Sequence, residues 1–431
     1  MSSAHNIYGF PFHKYLHKNE EVVNMKIIDG GVTAAKGFKA AGTRAGIREG
    51  KTNKDMAMIY SEVPAAVAGT FTRNVVKAAP VLWDMKVCEG GVAQAVVVNS
   101  GIANACTGDE GYQNAVDTAK LAGAALNVDA NQVLVASTGV IGFTLPMGAI
   151  ENGVNLLKDM ITDTREAAAE AATAIMTTDT HKKEYAVEFE IGGVKATMGA
   201  MCKGSGMIHP NMGTMLGFIT TDVAIDKKLL GKALKEIIED TFNMVSVDGD
   251  TSTNDTVLVL ANGMAGNELI TAEGNDYEAF KAALLDVNTY LAKQIASDGE
   301  GATRLFEVKV KGATDKQTAK TLAKSIVTSN LTKCAIYGKD ANWGRILCAM
   351  GYSGAQFDPY KVDITISSEK GEVKLVENGK AAGFDEELAT LILSPEVVTA
   401  IADIKSGDAE ATAWGCDLTY DYVKINADYR S

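Results

Sequence analysis

The chain has 431 residues, of which 46% are hydrophobic and 22% are charged, and its formal net charge is −13. This hydrophobic content is typical of a globular protein, and the length exceeds the usual limit of one core, so we expect two or three lobes. The acidic balance argues against nucleic acid and anionic membranes as partners, because surfaces that bind phosphate need basic residues. No apolar run approaches the ~18 residues that a membrane span needs. Small molecules are therefore the expected ligands.

The cysteines and histidines are spaced in a way that argues against a metal site. The six cysteines are scattered without C-x-x-C spacing, which favours buried thiols in a reducing compartment and hence a cytoplasmic location. His5, His13 and His17 cluster near the start, but without a cysteine or carboxylate arrangement beside them we expect no metal there. We interpret residues 1–24 as an N-terminal extension or leader, since they lack the apolar core of a signal peptide.

From Met25 onward, short strand patterns alternate with helical ones, which predicts an α/β fold. An apolar run at 95–98 predicts a strand that ends in a polar loop at 99–104, a place where sites are often built. A second buried strand is predicted at 133–136, running into a turn at Thr138-Gly139. The N–H groups of such a turn could stabilise an oxyanion, although an ordinary strand-to-helix turn is the simpler interpretation.

Residues 45–52, Ala-Gly-Ile-Arg-Glu-Gly-Lys-Thr, fit a relaxed phosphate-binding loop. Such a loop needs a hydrophobic strand before it and a helix that opens at its lysine, so that amides and the helix N-terminus face the phosphates. Here the residues before the loop are rich in glycine and alanine, and the next strand pattern begins so soon after the loop that no helix fits between them. We therefore predict that this segment does not bind a nucleotide.

The second part of the chain contains clear strand and helix signals. Alternation on both sides of Gly192-Gly193 predicts a β-hairpin, and Asp226 is the expected N-cap of a helix. Residues 335–337 read as a strand. The Asp-rich loop at 244–256 resembles a calcium loop, but it lacks the EF-hand spacing and the closing glutamate, so no metal is expected there either.

Gly213-Thr214 lies at the centre of a glycine-rich and then apolar segment, 201–222. Because glycine has no Cβ, a hydroxyl that follows it can approach the backbone closely. The Thr214 hydroxyl could attack the preceding carbonyl, take over the acyl group and release the resulting ester to water, which cuts the chain. The new N-terminal threonine would carry its own base, since a free α-amine has a pKa of about 7.7–8.0. By itself, however, a Gly-Thr pair is more often a simple turn.

Other motifs along the chain favour the cleavage interpretation. They are Lys203-Gly-Ser-Gly-Met-Ile, Thr214-Met-Leu, Phe218-Ile-Thr-Thr-Asp222, Val63-Pro-Ala-Ala, Asn99-Ser-Gly, Ser137-Thr-Gly-Val-Ile-Gly142, Ser246-Val-Asp-Gly-Asp-Thr-Ser-Thr-Asn254, Asp298-Gly-Glu-Gly-Ala-Thr303 and Asn342-Trp-Gly-Arg345. With these motifs the chain, from about Met25 to Ser431, closely resembles the ornithine acetyltransferase (glutamate N-acetyltransferase) family. One departure lies at the cut, where the family usually has alanine and this chain has Gly213; the smaller residue should hinder attack less.

The resemblance implies an α/β fold of the self-processing type seen in N-terminal-nucleophile hydrolases. It implies an α chain at 25–213 and a β chain at 214–431 that stay interleaved, usually as an α2β2 heterotetramer. Acetylornithine would give its acetyl group to Thr214, and glutamate would then accept it, without a cofactor. Since family members differ in their use of acetyl-CoA, that second donor stays open.

The resemblance also assigns roles to individual residues. It makes Thr214 the nucleophile and Thr138 with Gly139 the oxyanion stabilisers. It makes substrate contacts of Thr177, Lys203, Thr214, Glu300, Asn426 and Ser431, the last standing where the family has a C-terminal threonine. Two alternatives stay open: a self-processing amidase or aminopeptidase of related fold, and an uncut binding protein in which Gly213 has disabled processing.

Overall fold

The computed structural model describes residues 25–48, 50–209 and 215–428. Within them the chain forms two β-sheets and eleven α-helices, so the predicted α/β fold is confirmed. The predicted N-terminal extension, residues 1–24, lies outside the described residues. None of the helices in the described part of the chain is both long and apolar enough to cross a membrane.

The strands and helices follow one another in the order expected for a layered α/β protein. The strands are β1 Lys26–Ile28, β2 Phe38–Thr43, β3 Met56–Phe71, β4 Val92–Ile102, β5 Val133–Val140, β6 Lys183–Ile191, β7 Val194–Lys203, β8 Leu216–Thr221, β9 Val245–Ser246, β10 Thr256–Ala261, β11 Leu305–Ala313, β12 Asp363–Ser368, β13 Gly371–Glu377, β14 Lys380–Ala381, β15 Val397–Asp403 and β16 Ala409–Cys416. The helices are α1 Ala79–Gly90, α2 Gly108–Leu126, α3 Met147–Met160, α4 Arg165–Ala174, α5 Lys227–Asp240, α6 Asn275–Ser297, α7 Lys316–Thr328, α8 Asn330–Gly338, α9 Trp343–Gly351, α10 Glu386–Ile392 and α11 Tyr420–Asp428.

The larger sheet mixes strands from both sides of residue 214. Its order is β1-β6-β7-β8-β10-β3-β4-β5, with β2 also paired to β3. Strands β8 and β10 follow residue 214 and pair with each other in parallel, whereas their outer neighbours β7 and β3 precede it. The two parts of the chain are therefore hydrogen-bonded to each other through the middle of one sheet, as the predicted interleaving requires.

Burial explains why these central strands are so apolar. Every residue of β8 and of β10 is buried. Ile219 and Val259 pack in one apolar cluster with residues of α5 and α6, and Phe218 and Leu258 pack in another with residues of α1 to α4. Helix α6 packs against β6 and β7 of the larger sheet and against β11 and β16 of the smaller one, whose order is β14-β13-β12-β15-β11-β16-β9. Strands buried on both faces are expected to be continuous hydrophobic runs.

Helix α1 closes the open edge of the larger sheet at β5. The indole Nε1 of Trp83 donates to the carbonyl of Val133 at 2.9 Å, and the amide of Val135 donates to Asp84 Oδ1 at 2.7 Å. Two groups of the edge strand are thus bonded to helix side chains. An edge covered in this way is protected from pairing with another chain.

Three local predictions are corrected. Residues 335–337, read as a strand, lie in helix α8, which begins where the Ser329 hydroxyl accepts a hydrogen bond from the Thr332 amide. The polar residues at 99–102, read as part of a loop, continue strand β4, and Thr138 and Gly139, read as a turn, continue strand β5 and pair with Ser100 and Gly101 of β4. The first error came from a short apolar run, and the other two arose because pairing between β4 and β5 overrides local turn signals.

The segment that resembles a phosphate-binding loop binds a carboxylate of its own chain. The amides of Ala45, Gly46, Ile47 and Arg48 all donate to the buried side chain of Asp55, at 2.6–3.2 Å. Successive N–H groups directed at one point form an anion-binding nest. Because Asp55 occupies it, these amides are not available to a phosphate.

Candidate active site

Six of the predicted site residues meet at one cavity of about 160 Å³. They arrive from five separate segments: the end of β5, the loop after α4, the end of β7, the turn after α6, and helix α11. Met215, which directly follows Thr214 in the chain, lines the same cavity. The six are Thr138, Gly139, Thr177, Lys203, Glu300 and Asn426. Gly213, Thr214 and Ser431, which were also predicted, lie outside the described residues.

Gly139 lies where no larger residue fits. Its φ is +130°, and a Cβ built there would stand 2.2 Å from the carbonyl carbon of Gly101 on β4. Both the backbone conformation and the closeness of the neighbouring strand therefore require glycine. The consequence is that the Thr138-Gly139 peptide is held at the cavity by the strand pair itself.

Lys203, the last residue of β7, brings a buried positive charge to the cavity. Its Nζ donates to the Thr177 hydroxyl at 2.8 Å and lies 3.4 Å from the Thr138 hydroxyl. Burial lowers its pKa, and although Asp179 and Glu300 act to raise it, the net shift is downward. A partly dehydrated ammonium in this position can bind a carboxylate strongly.

Behind Lys203 lies a set of buried charges that the sequence did not reveal. Lys183 Nζ is 2.7 Å from Asp179 Oδ1 and 2.5 Å from Asp298 Oδ2, and the three side chains are at most 3% exposed. Burial favours the neutral form of Asp179, but the charges of Lys203 and Lys183 outweigh it and hold its pKa below the usual range. The four-residue spacing of Asp179 and Lys183 does not predict their contact, because the pair does not lie on a helix, and the pairing with Asp298 depends on the fold.

Glu300 and Asn426 form the other polar side of the cavity. Asn426 Nδ2 donates to Glu300 Oε2 at 2.7 Å, which joins helix α11 to the turn after α6. Gly206 leaves the space that this carboxylate needs, since a Cβ there would stand 2.3 Å from the carboxyl carbon of Glu300. A carboxylate in this position can accept an ammonium group of a ligand.

The Asp-rich loop at 244–256 serves structural roles at this site. Asn254 Nδ2 donates to the carbonyls of Ala103 and Ser137, at 2.6 and 2.8 Å, and so fixes the backbone next to Thr138. The carboxylate of Asp248 accepts hydrogen bonds from the amides of Met207 and Ile208. Among the described residues, no group of three or more His, Cys, Asp or Glu side chains is arranged to hold a metal ion.

The arrangement at the cavity suits acyl transfer on a small zwitterionic ligand. A cation and a carboxylate face it, and a hydroxyl and an amide at Thr138 and Gly139 can donate to a developing oxyanion. The nucleophile expected from the sequence, Thr214, is next in the chain to Met215 in the cavity wall. The described residues of the site are therefore of the kinds that can bind a substrate and stabilise a developing negative charge.

Comparisons with known proteins agree on one family. The model of the ArgJ family matches residues 39–431. The arginine biosynthesis bifunctional protein ArgJ of Symbiobacterium thermophilum is 52% identical over 408 residues, which cover 94% of this chain and all of that protein.

Solved structures include chains of the same family. A crystal structure of arginine biosynthesis bifunctional protein argJ from Bacillus halodurans is 50% identical and covers 50% of this chain and 100% of that chain, with a TM-score of 0.48. The ornithine acetyltransferase of Mycobacterium tuberculosis, solved in complex with ornithine, is 42% identical and covers 43% of this chain and 98% of that one, with a TM-score of 0.41.

Proposed function

This chain belongs to the ArgJ family, and from that premise we propose that it transfers the acetyl group of N2-acetyl-L-ornithine to L-glutamate in arginine biosynthesis. The observation that carries the proposal is the meeting of Thr138, Gly139, Thr177, Lys203, Glu300 and Asn426 at one cavity beside Met215. These residues are distant in sequence, and the family assigns each of them to the site.

The reaction needs a nucleophile, which we propose is generated by self-cleavage between Gly213 and Thr214. In the cleaved enzyme the α-amine of Thr214 accepts the proton of its own hydroxyl, and the hydroxyl oxygen attacks the acetyl carbonyl of acetylornithine. The C–N bond breaks, ornithine leaves with the proton on its amine, and the acetyl ester of Thr214 is left. Glutamate's amine then attacks that ester and regenerates the hydroxyl.

Both half-reactions pass through a tetrahedral oxyanion, and Thr138 and Gly139 supply the donors for it. The Thr138 hydroxyl and the Gly139 amide would stabilise this charge as it develops. Asn254 and the β4–β5 strand pair hold this peptide in place, so the donors do not have to reorganise during the reaction.

The charged residues explain why one cavity can serve both substrates. Donor and acceptor both carry an α-carboxylate that Lys203 can bind, and the side-chain ammonium of acetylornithine can pair with Glu300, since its α-nitrogen is an uncharged amide. Thr177, Asn426 and Ser431 complete the substrate contacts in this proposal. Because the same contacts are used in turn, ornithine must leave before glutamate enters.

Further properties are proposed on the family resemblance. We expect no cofactor, an α2β2 heterotetramer of the cleaved α chain 25–213 and β chain 214–431, and a cytoplasmic location. The relatives' name "bifunctional" favours acetyl-CoA as a second acetyl donor for glutamate.

The test is to follow acetylornithine consumption with and without glutamate. Transfer predicts acetylglutamate in equal amount to ornithine, and parallel double-reciprocal lines when both substrates are varied. Release of acetate at the same rate without glutamate would instead identify the amidase alternative. Acetyl-CoA with glutamate, in the absence of acetylornithine, tests the second donor.

A further inference from the structure

Two segments of the cavity wall are joined by one buried carboxylate. Asp179 accepts hydrogen bonds from the Gly204 amide at 2.7 Å and from the Thr177 amide at 3.0 Å, and it pairs with Lys183. Its Oδ2 also lies 4.0 Å from Lys203 Nζ. The side chain of Asp179 has no exposed surface, so these contacts are not weakened by solvent.

We propose that Asp179 is a positioning residue that keeps Lys203 charged and directed into the cavity, where it binds the carboxylate of the amino-acid substrate. This inference rests on the proposed function, because it assumes that Lys203 is a substrate contact. Asp179 itself does not line the cavity, so it acts through Lys203 and through the loop that carries Thr177.

The charges around Lys203 show why its charged form depends on Asp179. Burial favours its neutral form, and the positive charges of Lys183 and Arg48 add to that effect. Two carboxylates, those of Asp179 and Glu300, instead favour the charged form of Lys203. When a substrate ammonium pairs with Glu300, the negative charge of Glu300 is compensated. Asp179 is then the fixed carboxylate that still favours the charged form of Lys203.

Asp298 has a different role in the same cluster, which makes it a matched control. It bonds Lys183 at 2.5 Å and accepts from the Thr180 amide at 3.1 Å, whereas it is Asp179 that lies 4.0 Å from Lys203 Nζ. Asp179→Asn and Asp298→Asn each remove one carboxylate charge from a buried bond to Lys183. Only Asp179→Asn removes a charge that faces Lys203.

The experiment measures KM for acetylornithine and kcat between pH 6 and pH 9.5, at saturating glutamate. An opposite charge within about 4–6 Å raises the pKa of an ammonium by roughly 1–3 pH units. KM should rise at alkaline pH as Lys203 loses its proton, and in Asp179→Asn this rise should begin roughly 1–3 pH units lower than in the wild type. Above both midpoints, KM would exceed the wild-type value about tenfold for each pH unit by which the midpoint falls. Asp298→Asn should keep the wild-type midpoint.

Two further variants separate charge from shape. In the double variant that combines Asp179→Asn with Lys203→Arg, the rise of KM at alkaline pH should disappear, because a guanidinium stays charged throughout the pH range of the experiment. Asp179→Glu keeps the carboxylate and should keep the wild-type midpoint. A shift in Asp179→Glu would contradict the proposal even if Asp179→Asn does not fold, and so would equal shifts in Asp179→Asn and Asp298→Asn.

A readout that does not need turnover distinguishes this inference from the proposed function. Trace labelling of Lys203 with acetic anhydride across the same pH range, quantified by mass spectrometry, reports the protonation of that amine directly. A lower midpoint in Asp179→Asn supports the role of Asp179, and an unchanged midpoint overturns it. If the wild type transfers no acetyl group to glutamate, it is the proposed function that fails.

Discussion

Lys203 Nζ lies 3.4 Å from the hydroxyl oxygen of Thr138, although the two residues are 65 positions apart. The contact joins the end of β7 to the end of β5, across the cavity between them. A positive charge beside the hydroxyl favours its alignment as a donor towards the cavity. The proposed oxyanion site and the proposed carboxylate site are therefore adjacent, as expected for a substrate whose acetyl group and carboxylate are separated by only a few bonds.

Thr138→Ala is expected to lower kcat by about 10²–10³, which corresponds to the loss of one oxyanion donor, or about 2.7–4 kcal/mol. KM should change little, because the ground-state carbonyl is bound less tightly than the oxyanion. Since self-cleavage has its own tetrahedral intermediate, rates must be measured on the cleaved fraction. Thr138→Ser, which keeps the hydroxyl, is the control, and wild-type turnover by a fully cleaved Thr138→Ala enzyme would remove Thr138 from the site.

Gly139→Ala is expected to destabilise the fold and to abolish activity. The new Cβ would stand 2.2 Å from Gly101, and overpacking of this kind costs about 1–3 kcal/mol or more. Gly148→Ala is the matched control, because Gly148 lies in α3 with nothing within 4 Å of a new Cβ. Thermal unfolding should show a lower midpoint for Gly139→Ala and an equal or higher one for Gly148→Ala.

Asp84→Asn is expected to make the protein more stable at neutral pH. Burial raises the pKa of Asp84 well above its usual value, so the folded state holds a proton that the unfolded chain releases near pH 4. As pH rises from the unfolded pKa towards the folded one, each pH unit lowers the free energy of unfolding by about 1.4 kcal/mol. Asparagine avoids this loss and still accepts from the Val135 amide. Urea unfolding at pH 4 and pH 7 measures the free energy of unfolding of the wild type and of Asp84→Asn. An identical change with pH in the two proteins would contradict the prediction.

Thr214→Ala is expected to stay as one chain, whereas the wild type should give a fragment that begins Thr-Met-Leu-Gly. The reason is that alanine has no hydroxyl with which to attack the Gly213 carbonyl, while Thr214→Ser keeps one and should cut, if more slowly. Intact-mass spectrometry of the purified proteins measures all three. Recovery of only the uncut chain from active wild-type enzyme would rule out self-cleavage as the source of the nucleophile.

Where local chemistry determined the structure, the sequence was sufficient. The Gly192-Gly193 hairpin and the Asp226 cap both have signals that lie within a few residues of each other. Residues 335–337 were misread because a short apolar run has no period of its own. The cap at Ser329 that starts this helix lies outside the run.

The site was predictable only in part for a related reason. Family motifs identified the residues that line the cavity, but nothing in the spacing of Lys183 and Asp298, 115 positions apart, indicates that they form a buried ion pair. Asn254 was seen as part of a polar loop, and its bonds to the carbonyls of Ala103 and Ser137 depend on how that loop meets β4 and β5. Partners that are brought together by the sheet order require the fold itself.

The position of β8 and β10 between β7 and β3 bears on whether folding or cleavage comes first. A fragment that ends at residue 213 would lack two central strands, and β3 and β7 would each lose a neighbour. Neither piece could assemble its half of the sheet without the other. If the chain is cut after residue 213 as proposed, it must fold before it is cut. The complex that remains would then be held together without a covalent link, and it should survive the cut but re-form poorly after denaturation.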